Sequence, residues 1–178
     1  MKKLLWLLVI PFLVACSSVP PGYTGIKVFL TGGDKGVDSQ ILGVGRYWIG
    51  INEELFLFPT FTQNHVWTKA STEGSPNDDS FTFQTKQGLT VNTDVGISYH
   101  IEADKVTDIF QKYRKGVNEI THVVLRNSVR DAFNKAASSR DIESVYGEGK
   151  TALIEEVTNI VRHEMDPVGI KIESIYLV

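Results

Sequence analysis

Phe81-Thr82-Phe83-Gln84-Thr85, then Lys86-Gln87-Gly88, then Leu89-Thr90-Val91-Asn92-Thr93-Asp94-Val95-Gly96-Ile97-Ser98-Tyr99-His100-Ile101 is the passage that decides the fold. In an extended chain Leu89, Val91, Thr93, Val95, Ile97, Tyr99 and Ile101 share one face, and Thr90, Asn92, Asp94, Gly96, Ser98 and His100 share the other. Alternation with a period of two marks a half-buried antiparallel strand. Phe81, Phe83 and Thr85 alternate in the same way before the turn at Lys86-Gln87-Gly88, so residues 80–101 are predicted to form a hairpin.

Upstream, the rhythm remains strand-like. Tyr23 to Leu30 runs into the turn signal Thr31-Gly32-Gly33-Asp34, Glu54 to Phe58 stops at Pro59, and His65 to Lys69 precedes a polar stretch, residues 71–80. That stretch holds Gly74, Pro76, Asn77, Asp78 and Asp79 and reads as an exposed loop. Downstream the period changes. Val106, Ile109, Phe110 and Tyr113 predict a helix between Asp104 and Gly116; Ile120, Val124, Leu125, Val129, Ala132, Phe133 and Ala136 predict a longer one. A turn at Asp141–Tyr146 leads to a third helix with Leu153, Ile154, Val157, Ile160 and Val161 inward, ended by Pro167 and Gly169. Ile170, Ile172, Ile175 and Leu177 then predict a returning strand. Strands, helices and one last strand give the α+β class, an antiparallel or mixed sheet with helices packed on one face.

The amino end carries different information. Met1-Lys2-Lys3 precedes an apolar run from Leu4 to Ala15, and Leu13-Val14-Ala15-Cys16 contains the only cysteine. A basic start, a short apolar segment and small residues before a cut describe an export signal. The run covers roughly 18 Å as a helix, against about 30 Å of bilayer hydrocarbon, and Pro11 interrupts it. An uncleaved, tilted anchor is the alternative. The order resembles the lipobox of bacterial lipoproteins, which implies cleavage between Ala15 and Cys16 and acylation of the Cys16 thiol. The expected organisation is a signal peptide, residues 1–15, a lipidated tether, 16–21, and one domain, 22–178. The expected location is the bacterial envelope, with the domain on the extracytoplasmic side. Ser17, in place of an aspartate, favours the outer membrane by the same resemblance.

Removal of the signal takes away Lys2 and Lys3, leaving 16 basic against 21 acidic residues and a formal charge near −5. That balance does not suit nucleic acid, which calls for a basic stripe. With 42% apolar and 22% charged residues the chain is ordinary globular material.

Chemistry-bearing motifs are sparse. His65, His100, His122 and His163 have no metal-ligand spacing; His163-Glu164 begins a zinc motif, but Pro167 stands where the second histidine is required. Thr31-Gly32-Gly33-Asp34-Lys35-Gly36 lacks the order of a phosphate-binding loop and reads as a hairpin turn. No serine lies in a nucleophile elbow, and Asp78-Asp79 sits in a polar loop. No catalytic residue, metal site or cofactor is expected. Tyr47, Trp48, Phe56, Phe58, Phe61 and Trp67 are read as core aromatics or a ligand cleft, with Trp48 and Phe61 alternatively against lipid.

Several motifs together resemble the stomatin–prohibitin–flotillin group, the SPFH or Band 7 family. Val19-Pro20-Pro21-Gly22-Tyr23-Thr24-Gly25-Ile26 is similar to its opening, and Gly45-Arg46-Tyr47 followed by Phe58-Pro59 resembles a turn and a proline-ended strand. Phe83, Thr85, Gly88, Val91, Asp94-Val95, Tyr99 and Ile101 are similar to its central hairpin. Leu125-Arg126 and Val129-Arg130-Asp131 resemble the long helix, and Gly169-Ile170 through Leu177 the closing strand. Val44 departs from the usual proline and Gln87 from the usual acidic residue, and the 178 residues contain no heptad run of the kind that closes rings. The resemblance implies a non-enzymatic membrane scaffold that associates laterally and organises membrane proteins, including membrane proteases. Its expected partners are membrane lipid, reached through the acylated Cys16, membrane proteins and other copies of itself. A small envelope lipoprotein that binds a ligand or blocks a receptor, using the 71–80 loop and nearby aromatics, is the rival expectation.

Overall fold

A computed structural model describes residues 16–32, 35–70 and 78–178. The strands, in order, are β1 (Cys16–Val19), β2 (Tyr23–Phe29), β3 (Gly36–Leu42), β4 (Gly45–Trp48), β5 (Glu53–Pro59), β6 (Gln63–Trp67), β7 (Phe81–Gln84), β8 (Thr90–Thr93), β9 (Val95–Ile101) and β10 (Ile170–Leu177). Between β9 and β10 come α1 (Val106–Tyr113), α2 (Val117–Glu119), a π-helical stretch (Ile120–Leu125), α3 (Arg126–Ala137), α4 (Ile142–Tyr146) and α5 (Lys150–Met165). The α+β class holds. Within it the strands form four antiparallel sets, ordered β1-β4, β3-β2-β5, β10-β9-β6 and β7-β8.

The alternating passage is therefore shared between two sheets. β7 and β8 pair from Phe81 opposite Thr93 to Gln84 opposite Thr90, while β9 lies between β6 and β10. The break is at Asp94. Its carboxylate accepts from the Thr68 hydroxyl at 2.7 Å and the Lys69 N–H at 3.2 Å, and its carbonyl accepts from the Val178 N–H at 3.1 Å. Three neighbouring segments thus converge on the corner where the chain changes sheet. The predicted inward face survives the corner: Val91, Val95, Ile97, Tyr99 and Ile101 are buried, and only Leu89, beside the turn, faces solvent.

Two strands that periodicity did not reveal, β1 and β4, pair with each other. Gly45-Arg46-Tyr47 is thus strand, and the bend falls one step earlier, at Gly43-Val44. Gly22 and Gly25 make this arrangement possible for separate reasons. Gly22 turns the chain with φ +82°, whereas a Cβ on Gly25 would stand 2.9 Å from Val19 Cγ2 and 3.0 Å from Leu55 Cδ1. Only a bare backbone lets β1 lie so close to β2.

The helices close the core. α1 buries Val106, Ile109 and Phe110, with the Phe110 ring 4.5 Å from that of Phe56 on β5. The long helix is not uniformly α: through the π stretch Ile120 and Leu125, five residues apart, are both wholly buried. Val124, expected inward, is only partly buried. α3 packs on β7 and α5, and α5 on β10. β10 carries an irregularity between Ile172 and Ser174, which explains why its inward residues step from 172 to 175. Arg162 of α5 holds that kink by donating to the carbonyls of Ile172 at 2.8 Å and Glu173 at 2.6 Å.

At the centre, Trp67 meets Phe81 edge to face at 5.3 Å, Phe81 lies 6.4 Å from Phe133, and Phe133 stacks on Phe83 at 5.4 Å. Phe133→Ala is expected to lower unfolding free energy by about 3–5 kcal/mol, read as a fall in the urea midpoint with the slope unchanged.

Candidate functional site

Cys16 is exposed, opens β1 and stands opposite Trp48 on β4. Residues 1–15, expected from sequence to be a signal peptide, lie outside the described residues, and so does Ala15, the expected residue before the cut. The stretch read from sequence as a tether, 16–21, is largely structured. Cys16–Val19 is paired strand, and Val19 is buried in the slot above Gly25. Pairing with β4 thus reaches the cysteine itself, the first of the described residues.

The six aromatics weighed as core or cleft separate into distinct settings. Phe58 and Trp67 are wholly buried and Phe56 packs against the core. Tyr47 donates its hydroxyl to the Gly43 carbonyl at 2.9 Å. Trp48 and Phe61 are both about half exposed, but only Trp48 is near Cys16; Phe61 packs against Tyr23, at the opposite end of β2. No common cleft gathers them.

An enclosed cavity of about 100 Å³ lies between β6, β9 and the start of the long helix, lined by Gln63, Asn64, His65, Tyr99, Thr121 and His122 among others. His65 is flanked edge to face by His122 at 4.6 Å and Trp67 at 5.3 Å, and its Nε2 is buried without a hydrogen-bond partner. Burial, then the neighbouring His122, holds the His65 imidazole below its ordinary pKa of 6.5, with Asp79 opposing. The Tyr99 hydroxyl, bonded to Thr121, is pushed up by burial, and the Thr121 hydrogen bond opposes that shift. Thr121 in turn donates to the Val117 carbonyl one turn back, at 2.9 Å. Sequence reading missed this cluster because its members come from three distant segments, and the π turn that presents Thr121 and His122 has no periodic signature.

A family model for the SPFH domain, or Band 7 family, matches residues 17–178, essentially everything after Cys16. The chain belongs to the SPFH/Band 7 family. A search of curated proteins found no match. Members of this family are generally membrane-associated scaffolds without catalytic activity. Among the described residues no helix is long and apolar enough to cross a membrane.

The other sequence candidates have structural partners in this SPFH domain. Glu164, beside His163, accepts from the Ser128 hydroxyl at 2.7 Å and so ties α5 to α3. His100 Nδ1 lies 2.9 Å from Glu173, whose carboxylate also accepts from Thr62; these two bonds, His100 first, hold the Glu173 carboxyl below the usual range. Asp78 accepts from Ser80, and that bonding lowers its pKa. Among the described residues no three His, Cys, Asp or Glu side chains are grouped to hold a metal. Gly33-Asp34 of the glycine-rich turn and residues 71–77 of the polar loop lie outside the described residues. The loop's far end is held by Arg126, which donates to the carbonyls of Asp79 and Ser80 while its guanidinium lies 5.4 Å over the Phe81 ring.

His65 makes the SPFH domain acid-sensitive in a definite window. The unfolded imidazole titrates near 6.5 and the folded one lower, so on acidification the unfolded state takes up the proton first. The stability involved is fully present above about pH 6.5 and is lost as pH falls through the lowered folded value. Urea midpoints measured from pH 7.5 down to pH 5 are expected to fall in the native chain and to fall less in His65→Phe.

Proposed function

We propose that this protein is an exported, lipid-anchored SPFH scaffold that associates laterally and organises or regulates membrane proteins such as membrane proteases, with no catalysis of its own. One observation carries the reading: the lone cysteine closes Leu13-Val14-Ala15-Cys16, is exposed, opens β1 and stands one residue before the family match. The proposed organisation is a signal peptide over residues 1–15, cleaved between Ala15 and Cys16, followed by an acylated Cys16 and the SPFH domain. The proposed compartment is the bacterial envelope, domain on the extracytoplasmic side, with the outer membrane favoured by Ser17.

Two or more acyl chains hold a protein stably at a bilayer, where one holds it only marginally. Confinement to a thin layer raises the effective concentration of neighbouring copies, so weak side contacts become populated. The net negative charge of the mature chain does not favour anionic lipid, which directs the proposed recruitment toward proteins. Cys16→Ser is expected to abolish acyl labelling and to move the chain from the membrane fraction to the soluble one. Crosslinking in membranes should trap the native chain with copies of itself and with membrane proteins. A strictly monomeric, freely diffusing native protein counts against the scaffold.

A second reading, a lipoprotein that binds a ligand or blocks a receptor, draws on an open cavity of about 360 Å³ beside the end of the 71–80 loop, lined by Lys69, Ser80, Asn92, Asp94 and Tyr146 among others. Shortening the loop distinguishes the two. Lost binding with assembly intact supports the ligand binder, and intact partner capture supports the scaffold.

A further inference from the structure

Three of the exposed large apolar residues, Leu30, Trp48 and Ile51, at 46%, 54% and 107% exposure, share one end of the domain. Pairing register brings them together. Trp48 stands opposite Cys16, residues 49–52 join it to Glu53, and Glu53 stands opposite Phe29, the residue before Leu30. The Leu30 N–H donates to the Asn52 carbonyl at 2.9 Å, and the Asn52 side-chain amide donates to the Thr31 carbonyl at 2.6 Å. The Gly50 N–H donates to the Glu53 carboxylate at 2.9 Å, and that carboxylate also pairs with Lys27 at 3.3 Å. These bonds brace the loop from Trp48 to Ile51 with its apolar side chains outward.

We infer that the Trp48–Ile51 loop, with Leu30, is immersed in the interfacial layer of the bilayer, so that the domain stands on the membrane by this end and Phe61 points away. This rests on the anchored reading of Cys16 and adds an orientation to it. The occupant is argued from continuity. The apolar run Leu4–Ala15 joins the chain at Cys16, and no linker separates that residue from β1. Whether the run is kept or exchanged for acyl chains, apolar material enters the fold opposite Trp48. Tryptophan suits the boundary between headgroups and hydrocarbon, and apolar surfaces of this kind settle about 5–10 Å deep. The charges around the loop agree with shallow contact. Arg46 and Lys35 are exposed at this end and suit lipid phosphates; the Glu53 carboxylate is engaged by Gly50 and Lys27. Glu54, exposed at the next position, limits immersion to the loop itself. Phe61 lies beyond the other end of β2, about 20 Å away along a seven-residue strand.

The test uses the full chain expressed with its leader, purified from membranes and reconstituted into phosphatidylcholine–phosphatidylglycerol vesicles carrying a doxyl quencher high on the acyl chain. Subtracting the emission of Trp48→Phe isolates Trp48, since Trp67 and, where the leader is kept, Trp6 are common to both proteins. Most of the Trp48 emission should be lost to the quencher, whereas a tryptophan placed by Phe61→Trp in the Trp48→Phe background should keep its emission. An acylated, vesicle-bound protein whose Trp48 is not quenched overturns the orientation and leaves the anchor standing. A blue-shifted but unquenched Trp48 in a crosslinkable dimer overturns it in favour of a second copy on the loop. A chain with a free thiol that does not sediment with vesicles overturns both.

Discussion

Exclusion of water from one line of aromatic rings, Trp67, Phe81, Phe133 and Phe83, is the condition on which the rest of this domain depends. Each ring is at most 2% exposed. Burying a large apolar side chain contributes about 1.5–3 kcal/mol, and here the four come from three separate parts of the fold. Trp67 comes from the central sheet, Phe81 and Phe83 from the β7-β8 hairpin, and Phe133 from the long helix. The hairpin has only two strands and would be marginal alone; stacking on Phe133 gives it a second layer. Arg126, about two turns before Phe133 on the same helix, then reaches over Phe81 to the loop carbonyls. One helix face thereby secures both the hairpin and the end of the polar loop.

The amino end is secured by a different constraint, steric room. Val19 reaches its site only because Gly25 has no side chain, and with Val19 in place β1 pairs with β4 as far as Cys16. The proposed membrane attachment at that cysteine would transmit position as well as proximity, since Cys16 is part of a sheet. Lateral association of scaffold domains requires that neighbours present the same faces at the same height. A cysteine held in a paired strand suits that requirement better than one carried on a long linker.

Legibility from sequence varied with the kind of force at work. The hairpin, α1, α5 and the returning strand were readable because burial acts with a fixed period along the chain. β1 and β4 were not, because each is four residues long and their pairing depends on a close backbone contact with β2. The π stretch escaped because Ile120, Val124 and Leu125 fit an α pattern on paper, while the real turn accommodates Ile120 and Leu125 in the core and leaves Val124 at its margin. The division at Asp94 escaped for a related reason. Alternation continues through the corner, and only hydrogen bonds from Thr68, Lys69 and Val178 show that the partners change there.

Sequence alone determined the α+β class and the family, since each is written in local order as a period or a motif, and it placed a single thiol, Cys16, directly after an apolar run. Tertiary structure decided which exposed aromatic shares an end with that thiol. Trp48 and Phe61 are equally apolar and lie in the same stretch of chain, yet strand register sends one toward Cys16 and the other to the far end of β2. Register is a relation between segments distant in sequence, settled by which side chains can be buried together, and no single segment contains it.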